Sequence, residues 1–327
     1  MAGPGEFELI REYFTSRFQP DAETASSAVG PEFEQGVELG IGDDCALLIP
    51  PAGKRLATSV DTLVADVHFP AHADPYRIAS RALRVNLSDL AAMNADPLWF
   101  TLALTLPQSD PNWLEPFARG LAETARRFGI TLVGGDTTRG PLSITIQVTG
   151  ACENPLRRDG ASAGDTVFVS NKLGAAAAAL PIVLGRVTGS EQQQQWADAA
   201  YYFPEPQFAV ARAIGQYASA GLDISDGLLG DIAHICSASG LGAELQLETL
   251  PQAELVAEIN GGDALETALT GGDDYQLCFT VPEKHLSALA ALQLPITAIG
   301  RMTADQGVRC LLNGEPWQAR GNGYRHF

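Results

Sequence analysis

The sequence predicts an α+β protein of two mixed α/β domains, and three observations lead to this prediction. The chain has 327 residues, enough for two ordinary domains. Helix-like and strand-like segments are mixed in both halves. The stretch ACENPLRRDGASAGD combines glycine, proline and charge, which is typical of a domain boundary. We therefore expect an N-terminal domain at 1–150 and a C-terminal α/β domain at 151–327.

The N-terminal half begins with a short amphipathic helix in EFELIREYF and continues through a polar loop at 19–36. Strand-like runs follow at 37–41, 45–49 and 55–60. A helix is predicted from about Pro75 to Asn94 and another in NWLEPFARGLAETARRFG, with the strand WFTLALTLP between them. The strands ITLVGG and LSITIQVTG complete this half.

The C-terminal half begins with a strand in TVFVS and a helix in GAAAAALPIVLG. We expect a polar, glutamine-rich excursion in SEQQQQWADAAYYFPEP. Helices at 206–219, 227–239 and 282–292 are then predicted to alternate with strands near 222–224, 243–247, 274–280 and 296–300.

Composition restricts the possible functions. The chain is 46% hydrophobic and carries 21 basic against 39 acidic residues, a net charge of −18. A field of this sign repels nucleic acids and anionic membranes, so neither is an expected partner. The N-terminus has neither the basic nor the apolar region of a signal peptide, and the five cysteines are scattered without a C-x-x-C pair. These features predict a cytoplasmic protein.

One acidic residue is predicted to face the core. At 100° per residue, Ile78, Leu83 and Leu87 share one face of the helix at 75–94, and Asn86 and Asp89 fall on the same face. An inward carboxylate is costly unless it is paired, hydrogen-bonded or bound to a cation. The pattern favours a cation or catalytic role over a carboxylate that is satisfied by backbone donors.

Other aspartates follow glycines where strands are predicted to end. The segments are GIGDD with Asp43 and Asp44, LVGGD with Asp136, and LTGGDD with Asp273 and Asp274. An Asx-turn explains a single case as well as a ligand site does. In DISDG, Asp226 is explained as a helix N-cap, whereas Asp223 and Ser225 are not. Asp61 adds another acid at the end of a strand-like run.

Carboxylate clusters of this kind suit Mg²⁺ or Ca²⁺, and none has the spacing of an EF-hand. Mg²⁺ takes one or two protein carboxylates and completes its coordination with water and substrate phosphates. Several Mg²⁺ ions on a polyphosphate therefore explain the pattern, and also how an acidic protein holds a nucleotide. P-loop, dinucleotide-binding and protein-kinase motifs are absent, and Lys172 and Arg158 are candidate phosphate contacts.

The motifs together resemble a known family. GEFELI, GIGDD, VDTLVADVHF, VNLSDLAAM, LVGGDTTRGP, RRDGASAGD, DISDGL, GGDDYQL and IGRMTAD occur in this order across nearly the whole chain. They resemble the thiamine-monophosphate kinases, of the ATP-dependent superfamily that includes aminoimidazole ribonucleotide synthetase. The resemblance implies an aminoimidazole ribonucleotide synthetase-like fold whose N-terminal domains pair into a homodimer. It also implies ATP-dependent phosphorylation of thiamine monophosphate to thiamine diphosphate.

Site residues carry over from the family motif by motif. The implied Mg²⁺ ligands are Asp44, Ser59, Val60, Asp61, Asp89, Asp136, Asp223 and Asp226. The implied ATP contacts are Gly135, Asp136, Arg158 and Ser225. The implied contacts to thiamine monophosphate are His68, Asp273 and Tyr324.

The chain departs from the family pattern in three places. Val60 replaces a threonine, so only its backbone is left to serve a metal. Asp273 replaces a glutamate and is one methylene shorter. In the loop NKLGAAAAAL, Ala175 and Ala176 stand where the family has aspartate and serine.

The acceptor phosphate is largely dianionic at pH 7 and needs no base, so no acid–base residue is predicted. Three alternatives remain. The first is another ATP-dependent enzyme of the superfamily, acting on a purine-pathway intermediate, selenide or a hydrogenase-maturation carbamoyl group. The others are a non-catalytic divalent-cation-binding protein and a plain acidic scaffold. A reactive cysteine near the N-terminus, as the selenide enzyme requires, is not found, since the first cysteine is Cys45. The chain also ends in GYRHF rather than in the cysteine of the maturation protein.

Overall fold

The computed structural model describes residues 6–18 and 36–321. The chain divides into two units, Met1–Leu90 with Ala95–Glu153 (unit 1) and Ala91–Asn94 with Asn154–Phe327 (unit 2). The division after Glu153 lies inside the glycine-, proline- and charge-rich stretch at 151–165.

Unit 1 is organised around a four-stranded sheet. Its described elements are α1 (Glu6–Leu9), a π-helical turn (Ile10–Thr15), α2 (Ser16–Phe18), β1 (Val37–Leu39), β2 (Leu47–Leu48), β3 (Arg55–Val64), α3 (Pro75–Ala92), β4 (Asp96–Leu106), α4 (Pro111–Phe128), β5 (Thr131–Arg139) and β6 (Ser143–Cys152). The sheet has the order β3-β6-β4-β5. Only β4 and β5 are parallel in this sheet, and β1 pairs separately with β2.

The two long helices of unit 1 begin with aspartate caps and pack closely. The Asp74 carboxylate accepts from the Tyr76 backbone N–H (2.8 Å), and that of Asp110 accepts from Asn112 (2.9 Å). A Cβ at Gly120 of α4 would lie 2.4 Å from the Tyr76 carbonyl oxygen, so only glycine permits this approach. α3 is buried on both faces, including the Arg81 and Arg84 side chains.

The four-stranded sheet has one covered face and one largely open face. Alternate residues of β4 and β6, such as Leu104 and Ile146, are buried against the helices. The opposite face, here called the open face, consists of half-buried and exposed residues: Leu56, Thr58, Val60 and Thr62 of β3, Thr145, Gln147 and Thr149 of β6, and Thr101, Ala103 and Thr105 of β4. At one end of this face Leu48 and its neighbours pack against Trp99 and Val133.

Unit 2 contains a seven-stranded sheet of order β13-β12-β9-β11-β7-β10-β8. Its elements are β7 (Thr166–Ser170), α5 (Ala175–Val183), α6 (Glu191–Tyr202), α7 (Phe208–Ile214), β8 (Ala220–Ile224), α8 (Leu228–Ser239), β9 (Gly242–Gln246), α9 (Val256–Asn260), α10 (Ala264–Thr270), β10 (Gln276–Val281), α11 (Glu283–Ala290), β11 (Ile296–Thr303), β12 (Gly307–Leu312) and β13 (Glu315–Trp317). All neighbouring strands are antiparallel except β9 and β12.

Both faces of the seven-stranded sheet are covered. Cys278 on β10 packs into a cluster with Ile232 and Ile235 of α8, whereas Phe279 packs into another with Ile214 of α7. Successive residues of one strand thus enter opposite cores, as the pleat of a strand requires. The two mixed α/β domains predicted from the sequence are therefore observed.

Some local predictions were wrong. The glutamine-rich segment is not an irregular excursion but helix α6, which begins with a capping box between Ser190 and Gln193. Asp136 does not end its strand, because β5 continues to Arg139 beyond a bulge opposite Phe100 and Thr101. Asp61 does not end its strand either, because β3 continues to Val64. In the described part of the chain, every helix is too short or too polar to cross a membrane.

Candidate active site

The inward aspartate of α3 meets two predicted ligands of β3. The Ser59 hydroxyl donates to Oδ2 of Asp89 (2.6 Å), and the Asp61 backbone N–H donates to Oδ1 of Asn86 (3.1 Å). The Asn86 amide is itself anchored on the Ala82 carbonyl (2.8 Å). Burial and, to a smaller extent, the nearby charge of Asp89 together raise the pKa of Asp61 to about 6. A cation bound among these oxygen atoms would stabilise the ionised form of both carboxylates.

Val60 points away from this group. Alternation along β3 places its side chain on the open face, where it is 58% exposed. Its backbone pairs with Gln147 of β6.

A second set of predicted residues lines one cavity of about 790 Å³ in unit 1. Its lining includes Asp43 and Asp44 of the GDD turn and Gly135 and Asp136 of β5. The Asp43 carboxylate accepts from the Asp44 backbone N–H (2.8 Å), which shapes the GDD turn. Both Asp44 and Asp136 are exposed, so their carboxylates are accessible to a ligand.

Gly135 is required by packing within unit 1. A Cβ at this position would lie 1.9 Å from the Leu102 carbonyl oxygen of the neighbouring strand, whereas one at Gly134 would meet nothing within 4 Å. The second glycine of LVGGD thus permits the close approach of β4 and β5 just beyond the bulge and next to Asp136.

His68 lies in the turn that follows β3. Its Nδ1 accepts from the Val64 backbone N–H (3.0 Å), and its own backbone N–H donates to the Val64 carbonyl (2.9 Å). With Nδ1 used as an acceptor, the proton of the neutral imidazole is on Nε2. The ring is therefore oriented by the turn.

In unit 2, three predicted residues lie where β8 turns into α8. Asp223 is buried at the end of β8, and Ser225 and Asp226 follow it, half-buried. Asp226 is not the N-cap, because α8 begins after Gly227 without a side-chain cap. Instead, Oδ2 of Asp231 accepts from the backbone N–H groups of residues 225–227 at 3.0–3.1 Å. Burial raises the pKa of Asp231 to about 6, and these N–H groups oppose that rise.

The GGDDY segment joins this turn through the backbone. The Asp273 N–H donates to the Ser225 carbonyl (2.7 Å), and the Tyr275 N–H donates to the Ile224 carbonyl (2.8 Å). Asp273 and Tyr275 have φ values of 68° and 51°, a region that is costly for side-chain-bearing residues and concentrated at functional sites. The Tyr275 hydroxyl donates to Oδ1 of Asp273 (2.9 Å) and fixes that carboxylate.

The two predicted phosphate contacts of unit 2 lie elsewhere. The Ser239 hydroxyl, at the end of α8, donates to the Arg158 carbonyl, whereas Ser225 precedes the start of that helix. Twelve residues of helix span about 18 Å, so unit 2 by itself does not bring Arg158 to Ser225. The Lys172 ammonium pairs with Glu254 (3.0 Å).

Asp274 is a site-adjacent acid whose role sequence reasoning missed. Its Oδ2 accepts from the Gly174 backbone N–H (2.7 Å), at the start of α5. Burial raises its pKa to about 7, against the effect of the N–H groups of residues 174–176. The carboxylate thus covers the start of the helix in which Ala175 and Ala176 replace polar family residues. The signal in the sequence was the second aspartate of GGDD.

The donor atoms in both units fit Mg²⁺. They are carboxylate and hydroxyl oxygens, the ligands that this ion prefers. Across residues 6–18 and 36–321, no group of three or more His, Cys, Asp or Glu side chains is arranged to hold a metal by itself. Tyr324 lies outside the described residues.

Family models match both halves of the chain. The model for the AIR synthase related protein N-terminal domain matches residues 42–152, and that for the C-terminal domain matches residues 162–313. The chain is 44% identical to a thiamine-monophosphate kinase of Salmonella typhimurium strain LT2, over 99% of this chain and 98% of the relative. It is 43% identical to the same enzyme of Escherichia coli K12, with the same coverage.

Solved structures agree with these relatives. The crystal structure of thiamine-monophosphate kinase from Stenotrophomonas maltophilia K279a matches with a TM-score of 0.79 and 40% identity, covering 87% of this chain and 93% of that one. The structure of AaThiL complexed with AMPPCP and TMP matches with a TM-score of 0.78 and 32% identity, covering 88% and 92%. The hydrogenase maturation protein HypE in complex with ATP shares the fold, with a TM-score of 0.75 at 19% identity and coverage of 97% and 95%.

Proposed function

This chain belongs to the AIR synthase related proteins and, among them, to the thiamine-monophosphate kinases, and from that premise we propose that it transfers the γ-phosphoryl group of ATP to the phosphate of thiamine monophosphate. The products are thiamine diphosphate and ADP. The observation that carries this proposal is 44% identity along essentially the full length of both chains. The likeness to HypE concerns the fold alone and does not favour the maturation reaction.

The acceptor atom is a phosphate oxygen of thiamine monophosphate, and its ionisation removes the need for a general base. A phosphomonoester has its second pKa near 6, so its oxygen is already a competent nucleophile at neutral pH. The reaction thus requires no general base. His68 fits this view, because its Nδ1 already accepts a backbone hydrogen bond.

The carboxylates of the chain would hold the cations. Mg²⁺, when bound, neutralises the two phosphates that must approach each other. In unit 1, Asp61 and Asp89 with Ser59 and the Val60 backbone form one proposed set of ligands. Asp44 and Asp136 on the shared cavity form a second. In unit 2, the proposed ligands are Asp223 and Asp226.

The remaining residues would orient the two substrates. Gly135 and Asp136 on the cavity wall, Arg158, and Ser225 beside Asp226 are the proposed ATP contacts. His68, Asp273 and Tyr324 are the proposed contacts to thiamine monophosphate. The hydrogen bond from Tyr275 to Asp273 supports that assignment, because it holds a carboxylate that is one methylene shorter than the family's glutamate.

The proposed assembly is a homodimer formed through unit 1. The open face of its sheet carries Leu56 and Val60, which are 48% and 58% exposed. A second copy of the same face would cover them, as sheets that pack face to face do. The proposed location is the cytoplasm, supported by five free cysteines, four of them buried.

The proposed activity is tested by ADP release from ATP, with thiamine monophosphate, thiamine or no acceptor, each with and without Mg²⁺. We expect turnover only with thiamine monophosphate and Mg²⁺ together. Turnover with thiamine would show that the protein is a kinase whose acceptor is thiamine rather than thiamine monophosphate. A folded protein that binds Mg²⁺ but turns over none of these mixtures would contradict the proposal in favour of another superfamily substrate or a non-catalytic role.

A further inference from the structure

Asp231 makes three hydrogen bonds that the proposed reaction does not by itself explain. Its side chain is buried, and one oxygen, Oδ2, accepts from the consecutive backbone N–H groups of Ser225 (3.0 Å), Asp226 (3.1 Å) and Gly227 (3.1 Å). Three successive N–H groups directed at one anion form a nest, here filled by the protein's own carboxylate. Charge-assisted bonds of this kind are stronger than neutral ones.

The N–H groups belong to the turn that presents two proposed ligands. Gly227 occupies this turn with φ 117°, and a Cβ there would lie 2.6 Å from the Thr270 carbonyl oxygen. α8 begins directly after it without any side-chain cap. The path of the backbone at Ser225 and Asp226 is therefore held on one side by Asp231 and on the other by the N–H of Asp273.

We propose, on the basis of the proposed function, that Asp231 is a positioning residue for binding of the Mg²⁺–nucleotide. Asp231 contacts neither nucleotide nor metal. It holds the backbone of the turn so that the Ser225 hydroxyl and the Asp226 carboxylate keep one fixed arrangement. Without it, the three N–H groups lose their common acceptor and the two side chains lose their shared orientation.

The chain offers a matched control. Asp165 is also 4% exposed in unit 2, and its Oδ2 likewise accepts several hydrogen bonds, from the Ser162 N–H (2.9 Å) and the Ser219 hydroxyl (2.6 Å). It lies beside the start of β8, whereas the proposed ligands follow the end of that strand. Loss of its charge destabilises unit 2 without touching the turn at 225–227.

The test is titration calorimetry of the full chain with AMPPCP in excess MgCl₂. We expect Asp231→Ala to raise the Kd about tenfold or more, and Asp231→Asn, which keeps one acceptor oxygen, to raise it only about threefold. Asp165→Asn should lower the Tm and leave the Kd unchanged. If Asp231→Ala does not fold, the comparison between Asp231→Asn and Asp165→Asn decides.

The outcomes separate this inference from the function on which it rests. An unchanged Kd in the Asp231 variants, or equal changes in Asp231→Asn and Asp165→Asn, would overturn the positioning role. If the wild-type protein binds AMPPCP with Mg²⁺ and phosphorylates thiamine monophosphate, the proposed function stands, whatever the Asp231 variants show. Wild-type protein that fails to bind AMPPCP would instead overturn the proposed function itself.

Discussion

Single carboxylates in this protein have different roles that depend on what surrounds them. Asp89 faces Asp61 and Ser59, Asp274 covers the start of a helix, and Asp231 accepts three backbone N–H groups. Helical periodicity predicts the first correctly, because it depends only on which face of α3 is buried. The bonds of Asp231 span four to six residues across a strand-to-helix turn and that of Asp274 spans one hundred residues, and helical periodicity predicts neither.

Removing the charge of Asp89 should separate activity from stability. We expect Asp89→Asn to lower Mg²⁺-dependent turnover at least about 100-fold, because a proposed metal ligand is lost. The metal-free protein should not be destabilised, since the variant removes the repulsion that contributes to the raised pKa of Asp61. The measurements are turnover and Tm in EDTA. Wild-type turnover in a folded variant would show that Asp89 is not a metal ligand that the reaction needs.

Asp274 should make stability depend on pH. Its pKa is raised from 3.8 to about 7 in the folded protein, so the folded chain binds more protons than the unfolded chain between these values. Its contribution to the free energy of unfolding is therefore fully present below about pH 4 and is lost as pH rises through about 7.

We expect Asp274→Asn to reduce this loss, because the amide oxygen still accepts from Gly174 and carries no charge. Tm measured from pH 4 to 8 checks this, with the exposed Asp305→Asn as the control. Parallel curves for wild type and Asp274→Asn would show that Asp274 does not titrate in this window.

At the scale of elements, tight backbone approaches place the ligands. Asp136 follows the bulge between β4 and β5 and lines the cavity. The hydrogen bonds between the DISDG turn and the GGDDY segment bring Asp273 to Ser225. The glycines in these motifs marked the approaches in the sequence. Which backbone they approach was not predictable, because the partner strand or turn is remote along the chain.

The two glycines of LVGGD should differ sharply on substitution. Gly135→Ala would place a Cβ 1.9 Å from the Leu102 carbonyl oxygen, and we expect a loss of about 1–3 kcal/mol in the free energy of unfolding. Gly134→Ala meets nothing within 4 Å and should change stability little. Denaturant unfolding of both variants checks this. Equal losses would mean that the close approach of the two strands is not what requires glycine.

At the scale of the whole molecule, the open face of the unit 1 sheet should control assembly. We expect Leu56→Arg to convert a dimer into a monomer in sedimentation velocity, since it places two like charges in the proposed interface. Leu292→Arg replaces an apolar residue of unit 2 that is 40% exposed and should leave assembly unchanged. A wild-type monomer, or a Leu56→Arg dimer, would contradict the proposed interface.

Local sequence patterns were enough to predict the mixed α/β class, most strands and helices, the inward direction of Asp89 and the family resemblance. These follow from local periodicity, turn chemistry and short motifs, which act over a few residues. The packing of the folded chain was needed to show that Asp44 and Asp136 line one cavity, that Asp274 holds the backbone N–H of Gly174, and that the sheet face carrying Val60 is open. The physical reason is that strand register and chain packing set these relations between residues that are far apart in sequence.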